Sequence, residues 1–330
     1  MKRISLLIII FAMSLSSEAK VWRINNNPGI DADFTSFSSA QNTANNGDTL
    51  YFEGSVVSYG NIALSKKLTI IGPGYFLTEN PETQAVLSSA KFGSISFNQG
   101  GEGSSFMGLE IHGIVTISLN QISIERCLIW DRISINSSTQ PIGNTLILNN
   151  YIFINSYTYG INQTGNNPVY NLIISHNFIR TYDSRAINLN ENVSGVLSNN
   201  IFQKDVWCYN FIFTNNIQTD GISKINNNIF FNNIGNSNQF PIGNNNQQNI
   251  NMVDVFVGVT GQSTDGQWQL KAGSPAIASA NNGGDCGIFG DPTPYVLSGM
   301  PAIPAVFEIN MPASGNNIDG IPVTIKVKSH

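Results

Sequence analysis

The chain has 330 residues and a formal net charge of −5, with 41% of its residues hydrophobic and 11% charged. That balance supplies a core, excludes charge-driven disorder, and leaves no basic surface on which to hold a nucleic acid backbone. Asn accounts for 45 residues and Gly for 30, and both favour turns and left-handed backbone over helix interiors, so a mostly helical protein is excluded.

In chain order, Lys2 and Arg3 precede an apolar run from Ile4 to Met13 and then Ser17-Glu18-Ala19. This is the pattern of a secretory signal over residues 1–19, cut after Ala19. The run falls short of the roughly 20 apolar residues that a spanning helix needs, and no second run exists, so no transmembrane segment is expected. Asp33 to Ala44 offers an N-cap and apolar residues at Phe34, Phe37, Ala40 and Ala44, which predicts a short amphipathic helix covering the end of whatever follows. Asn46–Phe52 and Leu68–Gly74 read as the first strands with their turns.

A block then recurs: Ile122–Ile129, Leu146–Ile152, Leu172–Ile179, Val196–Ile201 and Ile222–Ile229 each place a short apolar strand before a polar residue and another apolar one. Taking Cys127, Asn150, Asn177, Asn200 and Asn228 as equivalent gives spacings of 23, 27, 23 and 28 residues. Strand periodicity at that repeat length predicts an all-β fold, a right-handed parallel β-helix with coils from about residue 48 to 290, within a domain spanning 20–290. An inward Asn in each coil would stack on the next and form a hydrogen-bonded ladder. Residues 291–330 hold two further apolar stretches, Ala305–Asn310 and Ile321–Lys328, expected as a C-terminal β-hairpin or arm. Three cysteines (Cys127, Cys208 and Cys286) are too few and too scattered for a disulfide framework, and with His only at positions 112, 176 and 330 a His/Cys zinc site lacks ligands.

The opening "DFTSFSSAQNTANNGDTLYFEG…LTIIGPG", the middle "GLEIHG…ISIERCLIW" and the closing "LKAGSPAIASANNGGDCGIFG" resemble the secreted right-handed β-helix proteins of the pectate-lyase-like superfamily, over nearly all of the mature chain. That fold hosts lyases, hydrolases, epimerases, adhesins and inert stalks, so the resemblance predicts architecture rather than activity.

In a solenoid, residues at one offset in successive coils form a row. Three to eight residues past the ladder that row holds Asp131 and Arg132, Asn155, then Arg180, Asp183 and Arg185, then Lys204 and Asp205, and Asn232, with Glu191 nearby. The resemblance implies a groove on an exposed parallel sheet in which Asp183 and Asp205 are oxygen ligands for Ca2+. Arg180, Arg185 or Lys204 would then be the base or the clamp on a sugar carboxylate. Arg180-Thr-Tyr-Asp-Ser-Arg185 has the arginine spacing of the family's R-x-P-x-x-R lyase signature without its proline, and the Asp-Asp pair of the polygalacturonases is missing. Ion-paired charges on a solvated turn are the competing explanation of the row.

His176 stands just before a ladder Asn, where it is a proton carrier if it points outward and a structural residue if a turn binds it. Trp130, Tyr151, Phe153, Tyr157, Tyr159, Tyr182 and Trp207 flank the strands and are candidates for stacking on sugar rings or for ordinary packing. Asp285–Asp291 resembles a calcium or anion loop only weakly; as a closing turn with obligatory glycines it needs no ligand. The expectation is a monomeric protein, secreted to the periplasm or the extracellular space, that interacts with a polysaccharide. Lyase or hydrolase activity is its enzymatic form; a non-catalytic adhesion, glycan-binding or structural module is the alternative.

Overall fold

A computed structural model describes residues 19–182, 185–224, 226–315 and 320–329; residues 1–18 of the expected signal segment, Asp183 and His330 therefore lie outside the described residues. The chain is a parallel β-helix. Each full coil carries three short strands, one per sheet, joined by turns. The first sheet has eleven strands and runs from Val21–Ile24 through Ser123–Glu125 and Val169–Ser175 to Ile229–Phe231. The second has eight, from Lys91–Phe92 through Leu128–Ile129, Tyr151–Ile154, Phe178–Thr181 and Ile201–Gln203 to Ile234–Gly235. The third has seven, from Ile62–Leu64 through Ile133–Asn136 and Ile187–Asn188 to Val206–Trp207. Inward positions on all three sheets carry aliphatic and Phe side chains that are wholly buried, among them Ile124, Ile147, Ile174, Ile152 and Ile133. Branched and aromatic residues fill such narrow coils because they pack on pleated surfaces.

The ladder forms at the turn between the first and second sheets. The Cys127 N–H donates to Asn150 Oδ1 at 2.9 Å, and both the N–H and the Nδ2 of Asn150 donate to Asn177 Oδ1 at 2.9 Å. The same pair of bonds repeats from Asn177 to Asn200, from Asn200 to Asn216, from Asn216 to Asn233 and from Asn233 to Asn246. Asn228 is not a rung: its amide bonds the carbonyls of Cys208 and Lys224, and its Oδ1 accepts from the Phe211 N–H at 2.9 Å, at the turn that leads into the first sheet. The later coils are shorter than expected, so the Asn-Asn pairs at 215–216 and 232–233 are the equivalents of Asn199-Asn200.

The residue before each rung has left-handed backbone: Arg126, Asn149, His176, Asn199, Asn215 and Asn232 all have φ between 48° and 59°. Asn tolerates that conformation better than most side chains, which explains why the motif is a doublet: one Asn makes the bend and the next makes the ladder.

The capping helix, α1 (Phe37–Thr43), begins one turn later than expected. Ser36 is its N-cap, accepting from the Ser39 N–H at 3.3 Å, while the Asp33 carboxylate accepts instead from the Arg23 N–H. Phe37, Ala40 and Ala44 turn into the open end of the core. At the other end, parallel strands stop at Ile234–Gly235 rather than near residue 290. Residues 250–297 run back along the outer face of the second sheet, where Val255, Phe256, Ala276, Ile288 and Tyr295 bury Tyr151, Phe178, Ile201, Ile217 and Ile234. A buried carboxylate helps to tie this roof down: Asp265 accepts from the Ser298 N–H at 2.6 Å, from Tyr295 at 3.2 Å and from Asn80 at 3.0 Å. Ala305–Asn310 and Thr324–Lys328 pair antiparallel as the C-terminal hairpin. The three cysteines are buried and unpaired, and burial pushes the Cys127 thiol up to about 12.

Candidate functional site

The outer face of the second sheet carries two rows. One, roofed, has just been described. The other lies two residues further along each strand: Trp130, Phe153, Arg180 and Gln203, with Phe153 and Arg180 directly paired in register. At the Arg180 end of this row, the roof segment stands away from the sheet and leaves a groove of about 860 Å3. Arg180, Tyr182 and Lys204 line it from the coils, and Phe256, Trp268 and Lys271 from the roof. Trp268 is held by Phe178, with ring centroids 4.6 Å apart, and by Phe256 at 5.3 Å. Tyr182 projects at the rim, edge to face with the exposed Tyr157.

Arg180, Lys204 and Lys271 face one carboxylate in the lining, Asp220, which pairs with Lys204 at 3.1 Å. Lys271 is held by the Val253 carbonyl at 2.7 Å and by Asp254 at 3.2 Å. Arg180 lies over the Phe153 ring, 4.9 Å from its centroid, and makes no ion pair with any other described residue. The groove is therefore cationic in an acidic protein, with an indole wall on which a sugar face could lie.

The expected row of charges divides at the turn between the second and third sheets. Arg180 and Lys204 precede the bend and face the groove. Arg185 and Asp205 follow it, in the turns leading into the third-sheet strands Ile187–Asn188 and Val206–Trp207. Arg185 caps the Trp207 ring at 3.3 Å from its centroid, and its Nη1 donates to Asn188 Oδ1. Lys224 approaches the same indole at 4.8 Å. The Asp205 carboxylate accepts from the Ile222 N–H at 2.9 Å, a turn-closing bond. Asp131 and Arg132 pair with each other at 3.3 Å on an earlier turn and do not line the groove. Asn232 is a bend residue bonded to the Ser279 carbonyl.

His176 does not point outward. It occupies the left-handed bend, 3% exposed, with Nδ1 bonded to Ser175 Oγ at 2.7 Å and Nε2 to the Gly290 carbonyl at 3.0 Å. Burial pushes its pKa down to about 4. It locks the roof to the coils and cannot reach a ligand.

Among the described residues, no group of three or more His, Cys, Asp or Glu side chains could hold a metal ion. The Asp205 carboxylate is engaged by the Ile222 N–H, and Asp183 lies outside the described residues, so no chemistry is assigned to a calcium site. No described helix is long and apolar enough to cross a membrane. Trp268, Phe256 and Lys271 escaped the sequence reading because they belong to no repeat; the one available signal was an isolated Trp in a segment where the strand pattern had ceased.

Fold and groove together define a parallel β-helix protein with a cationic, aromatic-walled groove at the edge of one sheet. No family model matches the chain, and no curated protein matches it. Among solved structures it is similar to the crystal structure of pectate lyase Pel9A, at 12% identity and a TM-score of 0.42, over 82% of this chain and 93% of that one. The fold assignment rests on the three parallel sheets themselves.

Proposed function

We propose that the protein is exported and binds an acidic polysaccharide in the groove between the second sheet and the roof. The observation that carries this is the lining: three basic side chains, one of them free of any ion pair with a described residue, around the Trp268 indole. Guanidinium matches a sugar carboxylate or sulfate in geometry and charge, and an indole face suits the C–H face of a pyranose. Binding is better supported than turnover. Glycoside hydrolysis in its usual form needs two carboxyl groups flanking the scissile bond, and the described lining offers Asp220 alone, already paired with Lys204. The His176 imidazole, at the turn into the second sheet, is sealed under Gly290.

A panel of acidic and neutral polysaccharides, with each mixture also read for ultraviolet absorbance of unsaturated uronates and for new reducing ends, tests this reading. The expected outcome is salt-sensitive binding of the acidic members, weakened by Arg180→Gln, without product. Equal binding of neutral and acidic glycans, or binding indifferent to salt and to Arg180→Gln, would refute it. Product formation would move the protein into the lyase or hydrolase class.

A further inference from the structure

The open row on the second sheet continues far beyond the groove. One residue past the paired Ile111 and Ile129, His112 lies beside Trp130, with ring centroids 6.2 Å apart and an angle of 26° between planes. Trp130 meets Phe153 edge to face at 5.6 Å, and Phe153 carries the Arg180 guanidinium. Four consecutive coils thus contribute one ring or planar cation each, and the fifth contributes Gln203 in the groove wall. From His112 to Gln203 the row covers four steps of ~4.8 Å, about 19 Å along the solenoid axis.

These rings are held in place and partly exposed. The Glu110 carboxylate sits beneath them, its side chain 14% exposed, while that of His112 is 52% exposed. Glu110 Oε1 accepts from Trp130 Nε1 at 3.3 Å and bonds His112 Nε2 at 2.8 Å, and Ser89 Oγ holds its other oxygen. One carboxylate therefore fixes two rings, and a ligand that lies on them need not pay their ordering entropy. Trp130 and Phe153 pack against the cluster that the roof closes, yet both remain half-buried, whereas Phe178 is wholly buried under Trp268.

We propose that His112, Trp130 and Phe153 form a stacking track that takes successive pyranose rings of one extended chain running parallel to the solenoid axis, with its acidic groups delivered to Arg180 and the groove. The coil rise is close to the length of one pyranose unit, so each coil serves one sugar. The ligand is then a linear polymer bound along its length, and not a chain end or a single sugar. This inference rests on the proposed groove.

Isothermal titration with acidic oligosaccharides of increasing length separates the two. Affinity should climb with each added unit up to about five, the number of coils in the row. Trp130→Ala and Phe153→Ala should each weaken the long oligomers about tenfold, the value of one good aromatic contact, and leave the affinity of the disaccharide unchanged. Trp130→Phe, which keeps a stacking face, should restore most of the loss, and circular dichroism confirms that each variant is folded. Length-independent affinity, or equal affinity of wild type and Trp130→Ala for long oligomers, overturns the track while the groove stands. If no acidic oligomer binds, or Arg180→Gln changes nothing at any length, the groove reading itself has failed.

Discussion

Two rows of the same sheet, two residues apart on the same strands, have opposite fates. Leu128, Tyr151, Phe178, Ile201, Ile217 and Ile234 are sealed under residues 250–297, while Trp130 and Phe153 stay half-buried at the side of that cluster and Arg180 is exposed. Nothing in strand register distinguishes them, because both face outward. What differs is the returning segment, which seals the first row and leaves the second partly exposed, with a groove at its Arg180 end. Coverage by a segment outside the repeat is what turns one row into core and leaves its neighbour as a surface for a ligand.

Substitutions can break that contrast. The largest effect should come from the roofed row: Phe178→Ala removes a wholly buried ring stacked on Tyr151 and Trp268 and should destabilise by about 3–5 kcal/mol in denaturant unfolding. A loss near that of an exposed aromatic would mean that the roof is not docked. Next comes the ladder. Asn177→Ala strands the Asn150 N–H and should cost about 1–3 kcal/mol, whereas Asn236→Ala, at an exposed loop position, should be close to silent. Equal shifts in melting would contradict the rung assignment.

Acid should act through the latch. With the His176 pKa at about 4 in the folded protein against 6.5 when unfolded, the unfolded chain takes up a proton before the folded one does. Stability contributed by the neutral imidazole is therefore complete above pH 6.5, falls as pH drops toward 4, and levels off below that, by roughly 3 kcal/mol in all. His176→Asn accepts the same left-handed backbone as Asn149 and Asn199 and should flatten this part of the pH–stability curve relative to wild type. An identical pH dependence for the two proteins would show that the imidazole is not the latch. The smallest effect on stability belongs to the second row: Arg180→Gln should lower the melting temperature only slightly, since Arg180 is exposed and its loss gives up one cation–π contact with Phe153 and breaks no ion pair with a described residue.

The coils were legible in sequence because a buried rung and a left-handed bend both demand Asn, and the doublets at 149–150 and 199–200 announce them. Register failed where the repeat contracted. The reading placed Asn228 on the ladder because its surroundings, Ile-Asn-Asn-Asn-Ile, copy the doublet, while the true rungs Asn216 and Asn233 stand only 16 and 17 residues from their predecessors. The charged row was half legible. Arg180 and Lys204 share a groove, but a constant offset could not reveal that the chain bends between Arg180 and Arg185 and carries the latter to another sheet. The roof could not be read at all, since its residues follow no period and its docking is set by the shape of the face beneath.

Hydroxyl-radical footprinting of the protein saturated with a long acidic oligosaccharide tests the central claim most directly, because two aromatic faces compete for the ligand. If the open row of the second sheet is the binding track, Trp130, Phe153 and Tyr182 become protected while Trp207 and Tyr209, on the third-sheet side with Arg185 and Lys224, stay as reactive as in the free protein. Protection of Trp207 and Tyr209 with Trp130 and Phe153 unchanged would place the ligand on the other sheet and contradict the account.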